Sequence, residues 1–293
     1  MPELPEVETV RRGLEQLTLG RKCLGGDVLL QRTISHPFSV AEFLDGLQGT
    51  RIECWQRRGK YLLADLVDAN YPKLRRGWLG VHLRMTGQLL WLESSQPLQK
   101  HTRVRLFFAD AASSLPWELR FVDQRTFGQM WWVSPEQRPE QIISGWGKLG
   151  PEPFSPDFSV AYLFQQLQQS RRPIKNALLD QTLVAGIGNI YADEALFCSG
   201  IHPLTPCAEL RPAQVEKLQG AIISVLQASL AEGGTTFSTF LNVRGVNGNY
   251  GGQALVYDRR GEPCHTCGTA IERIKLAGRS THFCPQCQIS SIT

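Results

Sequence analysis

The 293-residue chain has no run approaching the ~20 consecutive apolar residues of a membrane span, which argues against a helical membrane protein. No basic segment followed by an apolar stretch opens it. The chain starts Met-Pro-Glu-Leu-Pro-Glu-Val-Glu, acidic from the third residue, so neither a secretory signal nor a transit peptide is expected. Charge of one sign is not in large excess. With 31 Lys and Arg against 27 Asp and Glu, the net +4 means that any polyanion site must arise by local clustering. Internal repeats and low-complexity tracts are missing too, and 42% hydrophobic with 20% charged residues fits a globular chain rather than a disordered one. Nucleotide-cofactor signatures are also lacking. Gly186-Ile-Gly-Asn-Ile-Tyr191 has no third glycine and follows no strand, while Gly145-Trp-Gly-Lys148 lacks the Walker spacing. The expectation is a cytoplasmic, non-secreted protein of about two domains.

What is present changes character along the chain. Residues 1–133 are rich in short strand candidates: Arg51–Trp55, Tyr61–Leu66, Gly77–Leu83, Gln88–Leu92, Thr102–Phe108, Leu119–Val122 and Gln129–Val133. In Thr102–Phe108, Arg103 and Arg105 alternate with Val104 and Leu106, the period of a half-buried strand. A helix is expected ahead of them, with Pro5 in its first turn, Glu6 and Glu8 at its positive end, and Val7, Val10, Leu14 and Leu17 facing inward. Residues 134–157 lose periodicity and gain five prolines, the pattern of a linker. Residues 158–254 read as helical, with segments Phe158–Gln169, Ile174–Gln181, Asn189–Ser199 and Pro212–Ala231. The fold class is therefore α+β: an N-terminal β-sandwich with a leading helix, then a helical domain, then residues 255–293, too few for a core without a metal.

That last segment carries Cys264-x2-Cys267 and Cys284-x2-Cys287, sixteen residues apart, the spacing of a zinc ribbon. Four thiolates close a tetrahedron with no position left for water, so one structural Zn²⁺ is expected. Two disulfides or unpaired thiols, or His265 or His282 replacing one cysteine, are the alternatives. Between the knuckles, Arg273, Lys275 and Arg279 face only Glu272, which suits phosphate binding or simply a solvated surface. Gly186 and Gly188 precede a helix opened by Asn189, with Arg171, Arg172 and Lys175 upstream. Such a helix start with free N–H groups binds anions, although a ligand-free connection between helices fits the segment equally well. Pro2, once Met1 is removed, would be a secondary amine able to form an iminium with a sugar carbon, beside Glu3 as a proton carrier. Taken alone, Pro2 is only a common second residue and Lys60 a surface cation.

In combination, Pro2-Glu-Leu-Pro-Glu-Val-Glu8, Arg58-Gly-Lys-Tyr61, His82-Leu-Arg-Met85, Gly186-Ile-Gly-Asn-Ile-Tyr-Ala192 and the four-cysteine hairpin resemble the formamidopyrimidine-DNA glycosylase family over essentially the whole chain. The resemblance implies a helix-two-turn-helix motif in the helical domain and a zinc finger behind it. It implies a bifunctional repair enzyme, a monomer acting on damaged double-stranded DNA near the nucleoid. Such an enzyme removes oxidised purines through a Schiff base and then carries out β,δ-elimination. Pro2 matches the nucleophile, Glu3 the proton donor, Lys60 the β-elimination donor and Arg279 the δ-elimination donor. Met85, Arg125 and Phe127 match the residues that fill the gap left by a flipped base, although Met85 and Phe127 by themselves read as core. His101, Arg125, Arg171 and Asn189 match DNA contacts, and Thr235–Gly252 a mobile lid over the flipped base.

Overall fold

The computed structural model describes residues 1–109, 116–235, 242–246, 248 and 250–289. It divides into two compact units, Met1–Gly147 with Gly233–Gly248, and Lys148–Glu232 with Asn249–Thr293. Part of the segment expected to form a lid, residues 236–241, 247 and 249, lies outside the described residues.

The first unit begins with α1 (Leu4–Thr18), followed by β1 (Cys23–Val28), β2 (Ile34–His36), α2 (Val40–Leu47), β3 (Thr50–Arg58), β4 (Tyr61–Asp68), β5 (Arg75–His82), β6 (Gly87–Glu93), β7 (Thr102–Phe108), β8 (Trp117–Asp123), β9 (Gln129–Val133) and the single-turn α3 (Pro139–Ile142). The strands form two sheets, ordered β2-β9-β5-β4-β3 and β1-β7-β8-β6. Leu62, Leu79 and Val81 from the first and Leu89, Val104, Leu119 and Phe121 from the second share one core, as a sandwich requires. Helix α1 adds Val7, Val10 and Leu14 to that core, and the buried–half-buried alternation of β7 leaves its arginines outward.

Besides the single turn α3 inside the expected linker, three elements were not expected from the sequence. Strand β1 contains Gly25-Gly26 and so lacks alternation. At Gly26 a Cβ would lie 2.2 Å from the Arg105 carbonyl oxygen, so the glycine is there to let two backbones approach. Strand β2 is only three residues long. Helix α2 is capped by Ser39, whose hydroxyl accepts from the Glu42 amide at 3.3 Å.

The second unit holds α4 (Val160–Gln168), α5 (Ile174–Leu178), α6 (Asn189–Ser199), α7 (Pro212–Ala231) and the hairpin β10 (Glu272–Leu276) and β11 (Arg279–Phe283). Helix α7 buries Val215, Leu218, Ile222, Val225 and Leu226 as its periodicity implies. Helix α5 stops at Leu178, three residues earlier than expected; there Asp180 turns the chain by accepting from the Thr182 amide and hydroxyl. Helix α6 is buried from Ile190 to Phe197, so its sequence shows no polar stripe. Among the described residues, no helix is long and apolar enough to cross a membrane.

Candidate functional site

In the first unit, both Pro2 and Glu3 are buried where the chain enters α1. The Glu6 carboxylate accepts from the Glu3 amide at 2.8 Å and, with its other oxygen, from the Thr235 amide at 2.8 Å. It accepts from a helix-end donor and fastens the start of the segment expected to form the lid at the same point. One turn further on, Glu8 accepts from Arg57 at 3.2 Å, and Arg57 also donates to the Gly59 carbonyl at 3.1 Å. The first turns of α1 are thereby tied to the β3–β4 turn, which carries Lys60. Lys60 is only 6% exposed, so the surface-cation reading does not hold. Beside it His82, paired with Tyr61 across β4 and β5, is driven well below the ordinary histidine range by burial, helped by the charges of Arg84 and Lys60. The Tyr61 hydroxyl donates to the Ser144 carbonyl at 2.8 Å, and its ring meets His82 edge-on at 4.4 Å.

Two turns of the same unit carry the expected gap-filling residues. Met85 is 38% exposed and Phe127 53%, which removes the core reading for both. The two stand on neighbouring turns bridged by the Arg125 amide donating to the Thr86 hydroxyl at 2.9 Å. The Arg125 guanidinium lies over the Phe127 ring at 5.1 Å. His101 is half-buried just ahead of β7, with its carbonyl accepting from the Asp123 amide at 2.9 Å.

In the second unit, Asn189 is the first residue of α6 rather than its cap. Gly188 takes the cap position, and the Asn189 amide donates instead to the Ser280 carbonyl at 2.9 Å. Of the two glycines before it only Gly186 needs a positive φ, at +90°; Gly188 is extended. Ser280 also accepts from Lys175 at 2.9 Å, and Lys175 pairs with Asp193 at 2.6 Å. The second Asp193 oxygen receives the His282 amide at 3.0 Å and faces its ring nitrogen at 3.3 Å. Buried Lys175, Asp193 and His282 thus fix α5, α6 and β11 to one another. Arg279 is exposed at the start of β11, paired with Leu276 across a two-residue turn in which Ala277 and Gly278 have φ of +46° and +79°. Arg171 is exposed ahead of α5, next to Arg172, which is tied to Asp180 at 2.8 Å.

Residue typing alone missed Glu6, Asp193 and Glu194. Glu194 accepts from three successive amides, Leu255, Val256 and Tyr257, at 2.8, 2.9 and 2.8 Å, which holds the entry to the zinc segment on α6. Burial raises its pKa despite those bonds. A carboxylate inside a helix that reads as apolar is the signal that was available.

The four sulfurs of Cys264, Cys267, Cys284 and Cys287 lie within 4.8 Å of one another, with Cys264–Cys287 at 3.9 Å and Cys267–Cys284 at 3.5 Å. Tetrahedral Zn–S bonds of about 2.3 Å require S···S separations of about 3.8 Å, whereas a disulfide requires about 2.05 Å. The geometry fits zinc and excludes the disulfide alternative. Among the described residues the cluster consists of the four cysteines without either histidine, and His282 is engaged with Asp193. Thr266 and Cys287 amides donate to the Cys264 and Cys284 sulfurs at 3.4 Å, the bonds that shape each knuckle.

Residues 1–130 match the Formamidopyrimidine-DNA glycosylase N-terminal domain, residues 149–241 the Formamidopyrimidine-DNA glycosylase H2TH domain, and residues 261–289 the zinc finger found in FPG and IleRS. A formamidopyrimidine-DNA glycosylase of Trichormus variabilis is 64% identical over 289 residues, covering 99% of this chain and 100% of the relative. The chain belongs to the formamidopyrimidine-DNA glycosylase family. It is a DNA glycosylase with one structural zinc. The enzyme of that name from Acaryochloris marina is 62% identical, over 99% of this chain and 100% of its own. Among solved structures, Lactococcus lactis Fpg in complex with DNA containing an abasic site superposes with a TM-score of 0.86 at 36% identity, over 98% of this chain and 100% of that one. MutM in complex with DNA containing carbocyclic 8-oxo-G gives 0.87 at 36% identity, over 99% and 100%.

Proposed function

We propose that this glycosylase removes oxidised purines, 8-oxoguanine and formamidopyrimidines, from duplex DNA and then cleaves the strand at the abasic site. The observation that carries this reading is the buried Pro2-Glu3 start of α1, tethered through Glu8 and Arg57 to the turn that holds Lys60. The solved relatives bound to abasic-site and 8-oxo-G DNA support it.

With Met1 attached the Pro2 nitrogen is an amide and has no basic lone pair, so removal of Met1 is the first requirement. The freed ring amine attacks C1′ of the lesion nucleotide. The N-glycosyl bond breaks, its electron pair leaves with the base, and Glu3 supplies the proton the base needs. Loss of the ring-oxygen bond at C1′ gives an iminium that cannot shed an N–H proton and remains an electron sink. Water takes a C2′ proton, the C3′–O bond breaks, and the 3′-phosphate leaves by β-elimination with Lys60 donating a proton to it. A second elimination, with Arg279 as donor, expels the 5′-phosphate, and water hydrolyses the enzyme–sugar bond. Met85, Arg125 and Phe127 occupy the gap while the base is extrahelical. His101, Arg171 and Asn189 contact the backbone. The enzyme works as a monomer on nucleoid DNA in the cytoplasm.

Borohydride reduces the iminium to a stable amine. A preparation shown by intact mass to begin at Pro2 is expected to form a covalent adduct with duplex containing 8-oxoguanine opposite cytosine, and Pro2→Gly to form less. No adduct from the verified terminus refutes the mechanism.

A further inference from the structure

The turns that carry Met85 and Phe127 share a feature that packing alone does not explain. Each contains a non-glycine residue in the left-handed region, Arg84 at φ +54° and Thr126 at φ +58°. For a β-branched threonine that conformation is disfavoured, and it persists only where the surroundings over-determine it. What over-determines it is the Asp123 carboxylate, 1% exposed. One oxygen accepts from the Gly128 amide at 2.7 Å, closing the turn that carries Arg125 and Phe127. The other receives the Thr86 hydroxyl, on the Met85 turn, and faces the Arg125 amide at 3.2 Å. Its own amide donates to His101. The backbone is built around this contact: a Cβ at Gly128 would lie 2.3 Å from the buried Phe121 ring and 3.0 Å from the Asp123 carboxylate.

We propose that Asp123 is a positioning residue that locks both wedge-bearing turns into one arrangement, so that Met85, Arg125 and Phe127 enter the duplex as a unit. The proposal rests on the wedge reading of those three side chains given above. Asp123 does not touch the reacting atoms. Its contribution belongs to extruding the base, a step that a preformed abasic site largely bypasses because no stacked base has to leave.

The test compares two substrates and two variants. Asp123→Ala removes the hub, and Thr86→Val removes only the hydroxyl bridge while keeping the side-chain shape. For duplex containing 8-oxoguanine, kcat/KM is expected to fall by about tenfold or more in both, the scale of one lost buried hydrogen bond to a charged group. For duplex with a preformed abasic site the fall is expected to be several-fold smaller. A 2-aminopurine next to the lesion, which brightens on unstacking, is expected to respond more slowly in both variants. Equal losses on the two substrates, or unstacking at the wild-type rate, overturn the proposal. Met85→Ala separates the two readings. If it slows unstacking and the Asp123 and Thr86 variants do not, only the positioning role falls; if it too has no effect, the wedge reading falls and this role with it.

Discussion

Removing the Asp193 carboxylate probes what holds the zinc hairpin in place. In Asp193→Ala, Lys175 stays buried beside the Ser280 carbonyl but loses its counter-charge at 2.6 Å. The contact is an ion pair rather than an aligned hydrogen bond, so the charge is what is lost. Breaking one partner of a buried pair costs about 3–5 kcal/mol. The orphaned His282 amide belongs to the same local failure, so its penalty of about 1–3 kcal/mol overlaps with that figure instead of adding to it. Against a typical domain stability of about 5–15 kcal/mol, the unit is expected to stay folded while the β11 edge loosens from α6. Hydrogen exchange followed by mass spectrometry reads this directly, as an increase in exchange of about two orders of magnitude or more at the His282 amide. The double variant Lys175→Met/Asp193→Leu removes both charges and is expected to regain most of the loss, since apolar replacements of buried pairs are often neutral. A single variant within about 1 kcal/mol of the parent, or a double variant no better than the single, refutes the reasoning.

His82 gives a pH prediction with a definite sign. Burial first, then the charges of Arg84 and Lys60, keep the folded residue neutral below its ordinary range, while the unfolded chain takes up that proton near pH 6.5. The unfolded state binds more protons as pH falls, so stability declines below about pH 6.5 by up to about 1.4 kcal/mol per unit, levelling off once the folded value is passed. Urea titrations of parent and His82→Gln are expected to diverge in that window, and parallel curves contradict the assignment. Zinc removal gives the third prediction. Cys284→Ser or chelation is expected to release the metal, seen with a colorimetric indicator, and to abolish exchange protection in Glu272–Phe283 while leaving the β3–β9 sheet protected. Retained protection in the hairpin refutes a structural metal.

Local chemistry made some of this molecule legible and hid the rest. The cysteine spacing announced the metal because ligand geometry is short-range, and the Val215–Leu226 stripe announced α7 because one face is wet. Strand β1 was hidden because its Gly26 serves a backbone contact with Arg105, 79 residues further along the chain, beside the register pair Asp27↔Arg105. The Ser39-x2-Glu42 cap of α2 was readable and passed over. The partners of Glu6, Asp193 and Asp123 were illegible for a common reason. A buried carboxylate has the same letter as a surface one, and its partners are amides, which have no letter at all. Lys60 shows the same limit in reverse: a cation beside Arg57 and Arg58 looks wet until the fold covers it.

The carboxylate of Glu6 grips an amide 229 positions further along the chain. Ribosomal synthesis proceeds from the front, so the surroundings of the proposed nucleophile stay unfinished until nearly four-fifths of the polypeptide has been made. A product truncated before Thr235 would carry every residue of that end and still lack the amide from which the Glu6 carboxylate accepts.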